Sequence, residues 1–257
     1  MIHATAIIDA SATVAEDVEI GPYTVVGPHV EIGAGTVISP HVVLKGPTRI
    51  GRNNRIFQFS TIGEDTPDLK YKGEATRLVI GDNNTIREGV TIHRGTVQDR
   101  WETTIGNDNL IMSYVHIAHD CVVGSNTIFI NNASLAGHVV VDDWAILSGY
   151  SLINQFSHIG AHSFVGMGSW IKLDVPAYVT VQGTPAEAKG INVEGMRRRG
   201  FSPEQIAAVR QAYKVIYRQG LTLDDAIAEL EQRLGTEPEL ELLIASLRDS
   251  STRGIVR

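Results

Sequence analysis

Within the segment VHIAHDCVVG (115–124), His116, His119 and Asp120 interrupt a run of apolar and small residues. Gly137, His138 and Gln155 follow at wider spacing. An imidazole beside a carboxylate can act as general base on a hydroxyl, and the carboxylate fixes its tautomer and steadies the cation that forms. A glycine backbone N–H, with no side chain blocking approach, can stabilise a tetrahedral oxyanion. His119, Asp120, Gly137, His138 and Gln155 together therefore suit acyl transfer to a hydroxyl. No serine sits in a nucleophile-elbow setting, and Cys121 falls at an inward-turned position of the repeat described below. Direct attack by the acceptor is thus expected, without an acyl-enzyme. Two other readings stay open on spacing alone: histidines on a solvated face, and a zinc site recruiting His116, His119 and His138 as in gamma-type carbonic anhydrases.

These residues are positioned by a repeat. From Ile2, steps of six reach an aliphatic residue at every position to Ile62; the beat resumes over Ile80–Ile92 and again from Ile105 to Ile171. Four residues after each beat position the side chain is usually small or β-branched, as at Thr24, Val30, Thr36, Cys121 and Ala133. Neither a helix nor a simple alternating strand has this period. It predicts a parallel β-helix in which three hexads form one triangular coil, with glycines supplying the corner conformations. Residues eighteen apart then stack in columns separated by about 4.8 Å. His119, Gly137 and Gln155 share one column, and Asp120 lies below His138. The polar residues are expected to turn outward, and whether Asp120 serves His119 or His138 is left open. Two polar stretches, 67–79 and 97–104, break the beat and must project from the prism.

The hexad domain is expected over 1–185 and a helical region over 186–257. In the latter, Ser202, Pro203 and Gln205 announce one helix that stops at Gly220; Thr222 begins a second, ending at Gly235; residues 237–250 supply a third. These helices could cap the coil, join copies or shape a site. A single cysteine excludes an internal disulfide or a cysteine metal cluster. A net charge of −7 argues against broad nucleic-acid binding, and no apolar run approaches the ~20 residues that span a bilayer. A cytoplasmic address without stable membrane insertion is expected.

The ordered motifs DLKYKGE (68–74), TIHRGT (91–96), HIAHDC (116–121), LAGHV (135–139), DVPAYV (174–179), NVEGMRRRGF (192–201) and STRGIVR (251–257) resemble those of the acyl-carrier-protein-dependent UDP-N-acetylglucosamine O-acyltransferases. That resemblance implies a left-handed coil, a homotrimer with sites between neighbouring prisms, and the first step of lipid A synthesis. An (R)-3-hydroxyacyl group would pass from the phosphopantetheine arm of acyl carrier protein to the 3-hydroxyl of the glucosamine ring, with no cofactor or metal. His119 matches the family's base, Asp120 its orienting partner and Gly137 its oxyanion donor. Asp68, Lys70, His116, His138 and Gln155 match substrate-binding or site-lining positions. Asn192, Glu194, Arg198 and Arg199 match the region contacting nucleotide and pantetheine. Asn154 departs from the family, many members of which have histidine there. Met167 stands where members using long acyl chains have glycine, so a pocket shorter by about four methylenes, suited to a chain of about ten carbons, is implied.

Overall fold

The computed structural model describes residues 1–250 and 254–257; the start of the 251–257 motif lies outside the described residues. Among the described residues the backbone winds into a left-handed parallel β-helix. Its strands, mostly two residues long, stack into three sheets. The first sheet runs from Ile7–Ile8 through His116–Ile117 to Trp170–Ile171, the second from Thr13–Val14 through Val122–Val123 to His158–Ile159. The third runs from Glu19–Ile20 to Val179–Gly183 and closes with the antiparallel strand Ala186–Ile191. Ile117 pairs with Leu135, and Leu135 with Ile153, the register that the eighteen-residue coil demands.

The core follows from the beat. From Ile20 onward every beat residue is buried, as are the small residues four positions later. Ile2, Ile8 and Val14 are only partly covered, because no coil lies beneath the first turn. Where Asn54, Asn84 and Asn109 take the small-residue position, they form a buried ladder: the amide of Asn84 donates to Asn54 at 3.1 Å and its oxygen accepts from Asn109 N–H at 3.0 Å. Burial is tolerated because the polar atoms are paired.

The corners correct one expectation. Their left-handed positions are filled mainly by Asn, Asp, His and aromatic residues, such as Asn53 (φ 55°), Asp120 (φ 58°) and His138 (φ 65°). Short polar side chains enter this region more readily than most. Glycine serves close stacking instead: a Cβ on Gly33 would lie 2.6 Å from the Gly51 carbonyl oxygen, and one on Gly51 would meet Gly81 at the same distance.

The excursions are displaced toward the N-terminus of the expected 67–79 and 97–104, spanning 65–76 and 94–101. Arg77–Ile80 and Glu102–Ile105 are second-sheet strands that pair with one another. Both excursions leave the first sheet and rejoin the second, so both emerge at the corner that carries His119. The sheet also runs past the division expected at 185/186, through Ile191.

Among the described residues four α-helices follow: α1 (Val193–Arg198), α2 (Pro203–Arg218), α3 (Leu223–Glu231) and α4 (Glu241–Asp249). The capping box of Ser202 and Gln205 forms as expected, and Thr222 caps α3, which ends at Glu231 rather than near Gly235. The helices share a core with Ala177 and Tyr178 of the last coil. The chain end returns to it as well, Ile255 bridging to Asp174. The helical region therefore covers the otherwise open end of the solenoid, as such folds require. Among the described residues no helix is long and apolar enough to cross a membrane.

Candidate active site

The corner at residues 118–121 joins the strand His116–Ile117 to Val122–Val123. Ile117 and Cys121 are buried inside, and His119 stands at the outer edge with its side chain 14% exposed. Asp120, expected to face outward, is fully buried. The excursion 94–101 folds over it: Thr96 N–H (2.9 Å) and Arg100 N–H (3.2 Å) donate to its Oδ1, and Thr96 Oγ1 donates to its Oδ2 at 2.6 Å. His119 Nδ1 approaches the same Oδ2 at 2.9 Å. Burial alone would raise the pKa of Asp120, but the bonds from His119, Thr96 and Arg100 outweigh it and hold the group below the usual carboxylate value. The partnership is thereby decided. Asp120 serves His119, whereas His138 Nδ1 lies 3.9 Å from Asp120 and 2.7 Å from Asp99.

With Nδ1–H given to Asp120, the acceptor nitrogen of a neutral His119 is Nε2. Gly137 lies over that nitrogen. A Cβ built on Gly137 would come within 2.7 Å of Nε2 and 2.6 Å of Cε1, so no other residue fits without moving the ring. No backbone carbonyl among the described residues accepts a hydrogen bond from Gly137 N–H. Its neighbour His138 donates its backbone N–H to the His119 carbonyl at 3.0 Å, which locks the two corners together. The His138 ring meets His119 edge-on at 4.9 Å and stacks on Phe156 at 4.3 Å. Gln155 completes the column, exposed.

Beside this corner His116 projects from the first sheet, its Nδ1 2.8 Å from Thr91 Oγ1. It meets His93 edge-on at 5.2 Å. Burial, then His116, holds His93 down to about 4, and its Nδ1 is buried without a partner among the described residues. The same face bears a shallow groove of about 310 Å³ lined by His116, Ser134, Leu135, Leu152, Asn154 and Trp170. Asp68 and Lys70 lie on the first excursion, Lys70 exposed, with Lys70 N–H bound to Asp68 Oδ1 at 2.9 Å. Buried Arg94 ties that excursion down, donating to the Gly63 carbonyl, Tyr71 Oη and Asp65. His93, Arg94, Thr96, Asp99 and Arg100 are site residues that the sequence reading missed. TIHRGT was the available signal, but the beat assigns no place to residues outside it.

The remaining expected residues lie at other corners. Asn192 caps α1, its oxygen accepting from Gly195 N–H at 3.0 Å and its Nδ2 donating to the His162 carbonyl at 2.9 Å, so both amide atoms are engaged. Arg199 donates to the Trp144 carbonyl at 2.7 Å and lies over the Trp144 ring, while Glu194 and Arg198 form an exposed pair at 3.0 Å. This group lies at the corner between the second and third sheets. Met167, 70% exposed, occupies the corner between the third and first sheets, at the far edge of the face that begins at His119.

The zinc reading fits poorly. His119, Asp120 and His138 do bring ligand atoms within 4.8 Å of one another. Yet His116 is engaged with Thr91, and each oxygen of Asp120 already accepts two hydrogen bonds. The carboxylate is saturated as a holder of imidazole and loop.

A three-sided coil of hexads with such a dyad on an outer corner defines a transferase of the hexapeptide-repeat class. Residues 1–34, 11–46 and 102–137 match the family model "Bacterial transferase hexapeptide (six repeats)", and residues 174–256 match "Udp N-acetylglucosamine O-acyltransferase; Domain 2". Curated relatives named acyl-[acyl-carrier-protein]–UDP-N-acetylglucosamine O-acyltransferase include one from Stutzerimonas stutzeri, 65% identical, and one from Ectopseudomonas mendocina, 67% identical. Each match covers 100% of this chain and 99% of the relative. The solved structure of LpxA from Acinetobacter baumannii superimposes with a TM-score of 0.97 at 55% identity, covering 100% of this chain and 99% of that one. The chain belongs to the acyl-[acyl-carrier-protein]–UDP-N-acetylglucosamine O-acyltransferase family.

Proposed function

We propose that this O-acyltransferase moves an (R)-3-hydroxyacyl group of about ten carbons from acyl carrier protein to the 3-hydroxyl of the glucosamine ring of UDP-N-acetylglucosamine. The observation that carries the reading is the His119 Nδ1–Asp120 Oδ2 contact of 2.9 Å, with the opposite face of the ring cleared by Gly137. His119 Nε2 accepts the proton of the acceptor hydroxyl while the hydroxyl oxygen attacks the thioester carbonyl. The developing oxyanion takes the Gly137 N–H. Collapse breaks the carbon–sulfur bond, and the departing phosphopantetheine thiolate receives the proton from His119. Asp120 stays ionised and steadies the imidazolium between these steps. No acyl-enzyme is needed. Burial pushes the Cys121 thiol up to about 12, and its Sγ points to the Ala136 carbonyl at 3.2 Å, so it is a poor nucleophile.

Asp68, Lys70, His116, His138 and Gln155 surround the reacting corner as substrate contacts. The residues aligned with nucleotide and pantetheine contacts lie at a second corner and Met167 at a third. That distribution supports a homotrimer in which neighbouring copies complete each site. The reaction draws on no metal or cofactor, and a cytoplasmic location fits the substrates.

The test is turnover of UDP-N-acetylglucosamine with acyl carrier protein charged with 3-hydroxyacyl chains of different lengths. Wild-type protein should turn over, His119→Ala should not, and the variant should keep the native mass and circular dichroism. Near-normal turnover by His119→Ala would remove the mechanism. Loss of wild-type activity on treatment with a chelator, restored by zinc, would revive the metal reading.

A further inference from the structure

Beside His119, the excursion 94–101 places a second carboxylate–imidazole pair, whose carboxylate, Asp99, the mechanism above leaves unused. His138 Nδ1 lies 2.7 Å from Asp99 Oδ2, and two further aromatic contacts hold its ring. Phe156 stacks against one face with an interplanar angle of 9°, and His119 meets it edge-on. The backbone of His138 is held by the His119 carbonyl. Only the torsion that chooses which nitrogen faces the excursion is left to a hydrogen bond, and Asp99 makes it. A carboxylate accepts only, so Nδ1 carries the proton. In the neutral ring Nε2 is then the acceptor.

We infer that Asp99 is a positioning residue acting through His138: it selects the tautomer that presents Nε2 as an acceptor for a substrate N–H or O–H, one residue from the Gly137 N–H. Gly137 and His138 thus offer a donor and an acceptor side by side. The inference rests on the proposed acyl transfer and adds a residue to it. Three features favour a role in positioning over simple support of the loop. The excursion is already anchored on Asp120 by three bonds, from Thr96 N–H, Thr96 Oγ1 and Arg100 N–H. Asp99 is 37% exposed, and its other ionic contact, Arg100 at 3.6 Å, belongs to the same loop. Finally, the carboxylate reaches out of the loop to a ring that lies against the base.

Partners that orient a metal-bound histidine typically contribute about 10–100-fold, and the same orienting contact sets the scale expected for Asp99. Asp99→Ala should therefore lower kcat/KM about 10–100-fold, and Asp99→Glu should recover most of the loss. The deciding measurement is a double-mutant cycle with His138→Ala. If Asp99 works through His138, the double variant will fall no more than about twofold below His138→Ala alone, whereas independent roles multiply. Nitrogen NMR of the histidine rings gives a readout free of turnover. In wild-type protein His138 should show a protonated Nδ1, and in Asp99→Ala the Nε2-protonated form should gain. Multiplicative losses in the cycle, or a His138 ring spectrum unchanged by Asp99→Ala, would overturn the inference. A wild-type chain without acyltransferase activity would instead sink the proposed reaction, while the ring spectra would still decide the tautomer.

Discussion

At the scale of single residues the site depends on clearance as much as on charge. Gly137 matters because a methyl group there would occupy the space of His119 Nε2 and Cε1. Gly137→Ala should cut kcat by about 10²-fold or more, since misplacing a reacting group by about 1 Å costs that much. Asp120→Asn should cost more, about 10⁴-fold, by favouring the wrong tautomer. Steady-state kinetics on protein checked for native circular dichroism will measure both. Other histidines govern acid tolerance. His162 stacks between Trp144 and Tyr178, and burial, followed by Arg199, holds it down to about 4. Because the unfolded chain takes up this proton near the ordinary histidine value, it binds more protons than the folded state between about 6.5 and 4. Stability should therefore fall as pH drops through that window. His162→Phe, with an aromatic that already occupies the same corner geometry at Phe59 and Phe156, should flatten the decline in urea titrations. His119 and Gly137 were legible in sequence because both sit on the beat. Asp99 and Arg100 were not, because they lie on an excursion whose path no periodicity records; Thr96, four residues after Ile92, keeps the beat, but the beat does not mark it as a partner of Asp120.

At the scale of elements, local chemistry was read most reliably where it is self-contained. Ser202, Pro203 and Gln205 specify the start of α2 through bonds within four residues, and the structure shows both halves of the box. Ser202→Ala should cost about 1 kcal/mol of stability and speed amide exchange in the first turn of α2, as hydrogen-exchange measurements will show. The six-residue α1 went unseen because it is too short to show a period, although its cap, Asn192, opens the motif NVEGMRRRGF. Strands Arg77–Ile80 and Glu102–Ile105 were hidden in polar sequence for a different reason. They pair along their length at the feet of the two excursions, so their residues are chosen for the edge pairing Arg77–Glu102 as well as for burial.

At the scale of the molecule, the expected site residues spread over three corners of one prism. Met167 is a side chain largely in water unless another copy covers it. Light scattering should therefore report three times the chain mass. In that assembly Met167→Gly should shift preference toward longer 3-hydroxyacyl chains in a competition assay, because each methylene admitted or refused is worth roughly 1–3 kcal/mol. An unchanged preference would remove the ruler. Assembly was not legible from the repeat, since hexads specify only how a chain stacks on itself; handedness was not either, and came from family likeness.

Both excursions depart from and return to the same edge of the prism, and the beat residues on either side stay opposite one another, Ile62 with Ile92 and Ile80 with Ile105. Extra residues can thus be added or removed there without altering the eighteen-residue interval that sets His119 under Gly137. Natural or engineered variation in what the enzyme accepts has a route that leaves the scaffold untouched. A single insertion anywhere between residues 119 and 137 has none, because it would slide His119 out from beneath Gly137.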